Sequence, residues 1–371
     1  MGHKERNSGI ELLKIFAVVI IVFSHAMPVP KGGGTEQYYM DLSLATNSIQ
    51  RLIIVLFRYG GQLGNDIFII SSAWFLLESR RMSLKKVLYL IGDCFAVSVV
   101  FLICFLASGY SIGIKEIIKQ FMPTYMAGNW FICCYLLFYM IHPALNMILE
   151  RLDKEKLLAA DMGLIFVYCG LQVLRPGSMY YSELIGFICI YFIVAFVKKY
   201  MGKLSGLRKV NIKVLLFSLF GNFALIIITD ILGLYIGLFS TQLTRWCQFM
   251  NPFLILAALA VFLLAKEKKF VNRPINYISG LSMLIYIIHC NRLIIDHFIG
   301  DVFKYIYYNY SYEYELLWVI LSGSCLLVFG TVLSIVYKNT LQKISHRVCE
   351  IIYNLAGKIC RRLFTVCMEL E

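Results

Sequence analysis

Charge is scarce in this chain. Only 15% of its 371 residues are Asp, Glu, Lys or Arg, and 60% are hydrophobic. Soluble domains run nearer a quarter charged and half apolar, so a soluble globular enzyme is excluded. Proline is also rare, with 7 in the whole chain, which leaves long helical runs uninterrupted. The 12 cysteines include no CxxC pair, and most of them, Cys94, Cys104, Cys169, Cys189 and Cys325 among them, fall inside apolar runs. Neither a disulfide framework nor a zinc site is indicated, and no metal is expected. No small-residue cleavage site follows the first apolar run, Ile10 to Met27, so that run reads as a span rather than a removable leader. Internal repeats and low-complexity segments are lacking too.

What the chain has in quantity is stretches of about 20 apolar residues, the length that crosses ~30 Å of hydrocarbon. They predict an all-α integral membrane protein of about ten transmembrane helices, near 9–28, 49–78, 87–108, 129–149, 157–174, 181–198, 213–236, 250–265, 275–298 and 315–337. Gly60, Gly61 and Gly64 predict a break in the second stretch, which is too long for one straight span. With the N-terminus and C-terminus cytoplasmic, the inner segments collect most basic residues, for example Arg80, Arg81, Lys85, Lys86, Lys198 and Lys266. The outer segments hold only Lys31, Arg51, Lys115, Lys119, Arg175, Arg245 and Lys304. That is the positive-inside pattern, so the net charge of +13 is read as topology and contact with anionic membrane lipids. The loops are too short for a nucleic-acid-binding domain, and no nucleic acid partner is expected.

Two segments read as lying on the membrane surface. One is the short amphipathic piece Ile114 to Phe121. The other is the C-terminal tail, where Leu341, Ile344, Val348, Ile351, Ile352 and Leu355 recur at helical spacing between basic residues. The division is therefore a membrane domain over 1–337 and a cytoplasmic amphipathic tail over 338–371, forming an interfacial helix.

Ionisable residues inside a span cost ~2.5–3.5 kcal/mol each at a helix centre on insertion scales, and so are candidates for function. The first helix carries Glu11, Lys14 and His25. Lys14 and His25 are 11 residues apart, only ~20° out of alignment on the helix and ~16 Å apart along it. Glu11 stands one turn before Lys14 in ion-pair register. One face thus offers a cation toward one end and an imidazole toward the other. The plainer alternatives are a snorkelling Lys14 paired to Glu11 and a histidine that closes the helix end.

These residues carry a family resemblance. RNSGIELLKIFAVVIIVFSHAMP resembles the opening helix of the acyltransferase-3 family, marked by an Arg, ten residues and a His. Lys14 stands at the Arg position and His25 at the His position. GNDIFIISSAWFLLESR resembles the second-helix pattern, with Ser72 and Trp74 matching and Ala73 replacing Gly. GNWFICCYLLFYMIHP resembles the entry to a later helix through Asn129, Trp130 and Phe131. ISGLSMLIYIIHCNRLI resembles the late helix bearing Tyr286 and His289.

The resemblance implies transfer of an acetyl or other short acyl group from cytoplasmic acyl-CoA, with acetyl-CoA as donor, to a hydroxyl of a surface polysaccharide or its lipid-linked sugar precursor. It also implies a plasma membrane of bacterial type. His25 would act as general base or acyl carrier, with His289 as a second site histidine. Lys14, with Glu11 beside it, would meet the phosphates of coenzyme A, though without the bidentate fork of an arginine. Arg58, Asp66, Ser72, Trp130 and Arg292 are candidates for positioning substrate. A structural ion pair is the competing account of Arg58 and Asp66. Two other functions remain open: a glycan transporter or flippase, and a non-catalytic partner in polysaccharide assembly.

Overall fold

The computed structural model describes residues 6–26, 29–30, 39–40, 48–125, 129–171, 182–236, 249–299 and 312–368. Lys31, Arg175, Arg245 and Lys304 lie outside these residues, as do the side chains of Arg51 and Arg58. The described chain is a helical bundle, with one two-residue parallel bridge pairing Val29–Pro30 with Tyr39–Met40. Among the described residues five segments are long and apolar enough to cross a membrane: Ser8–His25, Leu84–Ala107, Trp130–Arg151, Arg208–Thr229 and Ile320–Asn339.

Helix α1 (Ser8–His25) is the pivot of the bundle. Asn7 caps it, accepting from the Gly9 amide at 2.9 Å. Its N-terminus is then latched to a distant connection. Asn7 Nδ2 donates to the Lys266 carbonyl at 3.1 Å, the Ser8 amide donates to the Phe270 carbonyl at 2.9 Å, and Ser8 Oγ accepts from the Asn272 amide at 2.7 Å. These bonds satisfy groups a helix start leaves unpaired. They also fix the height of α1 against the segment that follows residue 272.

Helix α2 (Ser48–Leu76) is continuous, which corrects the expected break at Gly60, Gly61 and Gly64. The glycines have a different use. A Cβ on Gly64 would sit 2.6 Å from Ile21 Cγ1 and 2.7 Å from the Ala17 carbonyl oxygen. One on Gly61 would collide with Ser24, and one on Gly60 would touch Ile20 at 3.5 Å. The three lie along the seam where α2 meets α1, so they allow close backbone approach rather than a kink. Gly64→Leu should therefore overpack the seam at a cost of about 1–3 kcal/mol. The expected result is a lower thermal midpoint in detergent, with Gly64→Ala less affected. An unchanged midpoint in both would show that the seam yields.

Helix α3 (Leu84–Ala107) leads to the short α4 (Ile114–Phe121), which leaves Ile114, Ile118 and Phe121 exposed as a surface-lying piece would. Next come α5 (Trp130–Arg151), α6 (Lys154–Ile165) running into a π-helical turn at Phe166–Leu171, α7 (Glu183–Tyr200) and α8 (Arg208–Ile236). Helix α9 (Pro252–Glu267) is walled in by protein along much of its length, burying Leu254, Ala257, Ala258, Phe262 and others.

The expected continuous helix at 275–298 is not found. It is divided into α10 (Arg273–Ser279), α11 (Ser282–His289) and a π-helical turn at Ile294–Ile299. Gly280 ends α10, its amide donating to the Asn276 carbonyl at 3.2 Å, and Leu281 restarts the helix. This places two helix ends, at Ser279 and at His289, beside α1.

Helix α12 (Tyr312–Asn339) completes the bundle, and α13 (Leu341–Met368) turns away from it against α3. Buried Asp93 of α3 accepts from Tyr337 Oη at 2.9 Å and Gln342 Nε2 at 3.1 Å, with His346 Nε2 also at 3.1 Å. Glu350 meets Lys85 Nζ and Tyr89 Oη, both at 2.6 Å, and these bonds hold its carboxyl below the usual range. A depressed carboxyl supports the native state above its ordinary pKa, so this contact fades as pH falls through the lowered value. Ile344, Val348, Ile351, Ile352 and Leu355 stay exposed on α13, an amphipathic face of the kind expected for an interfacial helix.

Candidate active site

Two polar clusters lie at opposite ends of the α1 face that carries Lys14 and His25. At the first, Lys14 Nζ pairs with Glu11 Oε1 at 3.1 Å, and Glu11 Oε2 accepts from Ser279 Oγ at 2.5 Å. The α10 terminus thus holds Glu11, and Glu11 holds Lys14. Glu11 is buried, whereas the Lys14 side chain keeps 27% of its surface accessible, enough to meet a ligand.

More cations gather at this end. Lys266 Nζ lies 4.0 Å and Lys198 Nζ 4.9 Å from the centre of the Trp74 ring. Lys198 also donates to the Trp74 carbonyl and pairs with Glu78 at 2.9 Å. Sequence reasoning assigned Lys198 and Lys266 to topology, since both stand at helix ends in basic loops. Their convergence on Trp74 depends on the packing of α2, α7 and α9.

At the opposite end, His25 closes the last turn of α1 and His289 the last turn of α11. His25 Nδ1 and His289 Nε2 are 3.0 Å apart, with ring centroids 5.1 Å apart. The resemblance implied a second site histidine; the fold puts the two in hydrogen-bond contact. His289 is fully buried, and its Nδ1 lies 2.7 Å from the Ile285 carbonyl. A carbonyl only accepts, so Nδ1 carries the proton and Nε2 presents a lone pair. His25 Nδ1–H then donates to His289 Nε2, which leaves the His25 lone pair on its own Nε2. Tyr286 packs edge-on against His289 at 5.5 Å, and Phe131 packs against Tyr286 at 5.2 Å.

Two residues here escaped the sequence analysis. Cys290 Sγ is 3.5 Å from His25 Nδ1 and 3.4 Å from His289 Nε2. Asn291 accepts from the Leu293 amide at 3.0 Å and donates to Ser98 Oγ at 3.2 Å and Gln120 Oε1 at 3.3 Å. It pins the turn after His289 to α3 and α4, which explains buried Gln120 on an otherwise exposed helix. The only signal in the sequence was a Cys-Asn pair directly after the histidine.

The remaining candidates with described side chains have other surroundings. Arg292 is paired with Asp296 at 2.6 Å. Trp130 stacks edge-on with Phe131 and Phe249, at 5.7 and 5.5 Å. Ser72 is half-buried. Asp66 is fully buried, and among the described residues neither of its oxygens has a partner. The sequence counterpart of Asp66, Arg58, stands on the same helix with its side chain outside the described residues.

A histidine pair at one end and a cation cluster at the other suit a transfer between a phosphate-bearing donor and a hydroxyl acceptor. In comparison with known families, the model described as an acyltransferase domain, that of the acyltransferase-3 family, matches residues 7–337. No curated protein and no solved structure matches the chain. With nearly its whole length matched, including α1, both histidines and Lys14, the chain belongs to the acyltransferase-3 family of membrane acyltransferases.

Proposed function

We propose that this chain transfers an acetyl or other short acyl group from cytoplasmic acyl-CoA to a hydroxyl of a surface polysaccharide or its lipid-linked sugar precursor. The topology in this reading has ten spans with both termini cytoplasmic, in a bacterial plasma membrane. The observation that carries it is the 3.0 Å pairing of His25 with His289 in a chain of this family.

The hydrogen bonds give the pair an order. Ile285 fixes the His289 tautomer, His289 fixes that of His25, and His25 Nε2 is the base. It takes the proton from the acceptor hydroxyl as that oxygen attacks the thioester carbonyl. The tetrahedral intermediate collapses with loss of the coenzyme A thiolate, which recovers the proton from the imidazolium. In this reading Lys14, Lys198 and Lys266 meet the donor's phosphates. The ~16 Å between Lys14 and His25 along α1 is of the order that an extended pantetheine arm covers.

The test is acyl-CoA-dependent ester formation on glycan acceptor, followed by mass spectrometry, in membrane vesicles holding the intact chain. Lys14→Ala should raise KM for the donor by roughly 10–100-fold, the worth of a lost charge-assisted bond, and leave kcat within a few-fold. Lys14→Arg should keep the donor bound. An unchanged KM in Lys14→Ala would remove that lysine from the donor site. The discontinuity between α10 and α11 is a feature transporters use, so export is the second reading. If vesicles form no ester but move lipid-linked glycan across the bilayer, export replaces transfer.

A further inference from the structure

The histidine pair has a third neighbour that the transfer does not use. Cys290 Sγ, His25 Nδ1 and His289 Nε2 form a triangle with sides of 3.0, 3.4 and 3.5 Å. All three come from the bundle interior: His289 and Cys290 are buried and His25 is half-buried. We propose that these three atoms form a zinc-binding site, and that zinc bound there shuts off His25.

The distances support this. Zinc binds imidazole nitrogen at ~2.0–2.1 Å and thiolate sulfur at ~2.3 Å in tetrahedral geometry, which sets nitrogens roughly 3.3 Å apart and nitrogen from sulfur roughly 3.5 Å. Both sulfur edges already have that length, and the nitrogen edge needs to open by a few tenths of an ångström. Orientation supports it as well. His289 Nδ1 donates to the Ile285 carbonyl, the outer contact that metal-bound histidines normally make, and Nε2 is thereby aimed inward as a ligand. Two imidazoles and one thiolate suit zinc over the hard cations that take oxygen ligands. Three protein donors leave a fourth position for water. Absence of CxxC spacing gave no warning, because the donors are separated by 264 residues.

Binding displaces the Cys290 thiol proton to solvent and moves the His25 ring proton from Nδ1 to Nε2. Two zinc–nitrogen bonds and one zinc–sulfur bond form, with no change of oxidation state. His25 Nε2 is then protonated and has no lone pair for a hydroxyl proton. The site stands independently of the enzymatic reading, whereas the shut-off rests on it.

Cobalt(II) is the probe for the site. Metal-stripped full-length protein in detergent should bind one Co(II) with a sulfur-to-cobalt charge-transfer band and the intense visible bands of a tetrahedral ion. Zinc should abolish both. Cys290→Ser should lose the charge-transfer band and weaken zinc binding at least tenfold, and His289→Gln should weaken it similarly. No band in the intact protein, or a band that survives Cys290→Ser, overturns the site. In vesicles, micromolar zinc should inhibit ester formation by the intact chain, and Cys290→Ser, measured against its own metal-free rate, should need at least tenfold more zinc for the same fractional inhibition. Equal inhibition of both overturns the shut-off. A chain that shows the Co(II) spectrum but forms no ester under any condition leaves the metal site standing and defeats the transfer reading instead.

Discussion

His25→Ala should lower the rate of acyl transfer by about 10²–10⁴-fold, the range a positioned general base supplies. The loss should fall on kcat, because the donor phosphates bind at the other end of α1 and the acceptor loses only a hydrogen bond. Folding should be little disturbed. His25 is half-buried in the last turn of its helix, whereas the packing of α1 rests on Ala17, Val18, Ile21 and Val22. Membrane level and thermal midpoint should therefore stay near those of the intact protein, which separates this result from simple misfolding. His25→Gln is the stricter control. It keeps a polar side chain of similar length but has no group that accepts a proton near neutral pH, so it should be as inactive as alanine. If either variant retains transfer within threefold of the intact chain, the base lies elsewhere.

How much of this was legible in the sequence depended on whether the interaction was local. The Lys14–Glu11 pair and the shared face of Lys14 and His25 follow from helix periodicity within 18 residues, and both are found. The short amphipathic α4 and the amphipathic α13 follow from the same periodicity. The glycines of α2 were noticed and misread. A glycine cluster in an apolar run signals either a break or a close helix contact, and only the position of α1 decides between them. The division of 275–298 had a signal in Ser279-Gly280, but glycine alone does not distinguish a tolerated interior residue from a helix stop. Here the stop is decided by the neighbours. Ser8 Oγ lies 2.8 Å from Asn276 Oδ1, and Ser279 reaches Glu11 across 268 residues of chain. Cys290, Lys198 and Lys266 were out of reach for the same reason. Each looks ordinary in its own helix and acquires meaning from a second helix far away in the chain.

The other large effect belongs to His289, which acts through His25. In the proposed arrangement His289 Nε2 accepts from His25 Nδ1–H and stabilises the imidazolium that forms when His25 Nε2 takes the hydroxyl proton. Removing that acceptor should lower kcat by roughly 10–100-fold and leave KM for both substrates within about threefold, since His289 touches neither. Alanine is a poor test by itself. His289 is fully buried and bonded to the Ile285 carbonyl, so truncation opens a cavity and removes that bond, at a cost of about 2–5 kcal/mol in stability. Gln is the informative substitution, because its side-chain oxygen still accepts from His25 Nδ1–H. His289→Gln should recover at least a third of the lost activity, whereas His289→Leu, which fills the space without an acceptor, should not. A purely structural His289 predicts the opposite order, with activity following the thermal midpoint and Leu doing as well as Gln or better. The ranking of Gln against Leu therefore decides whether His289 serves the reaction or only the packing of α11 against α1.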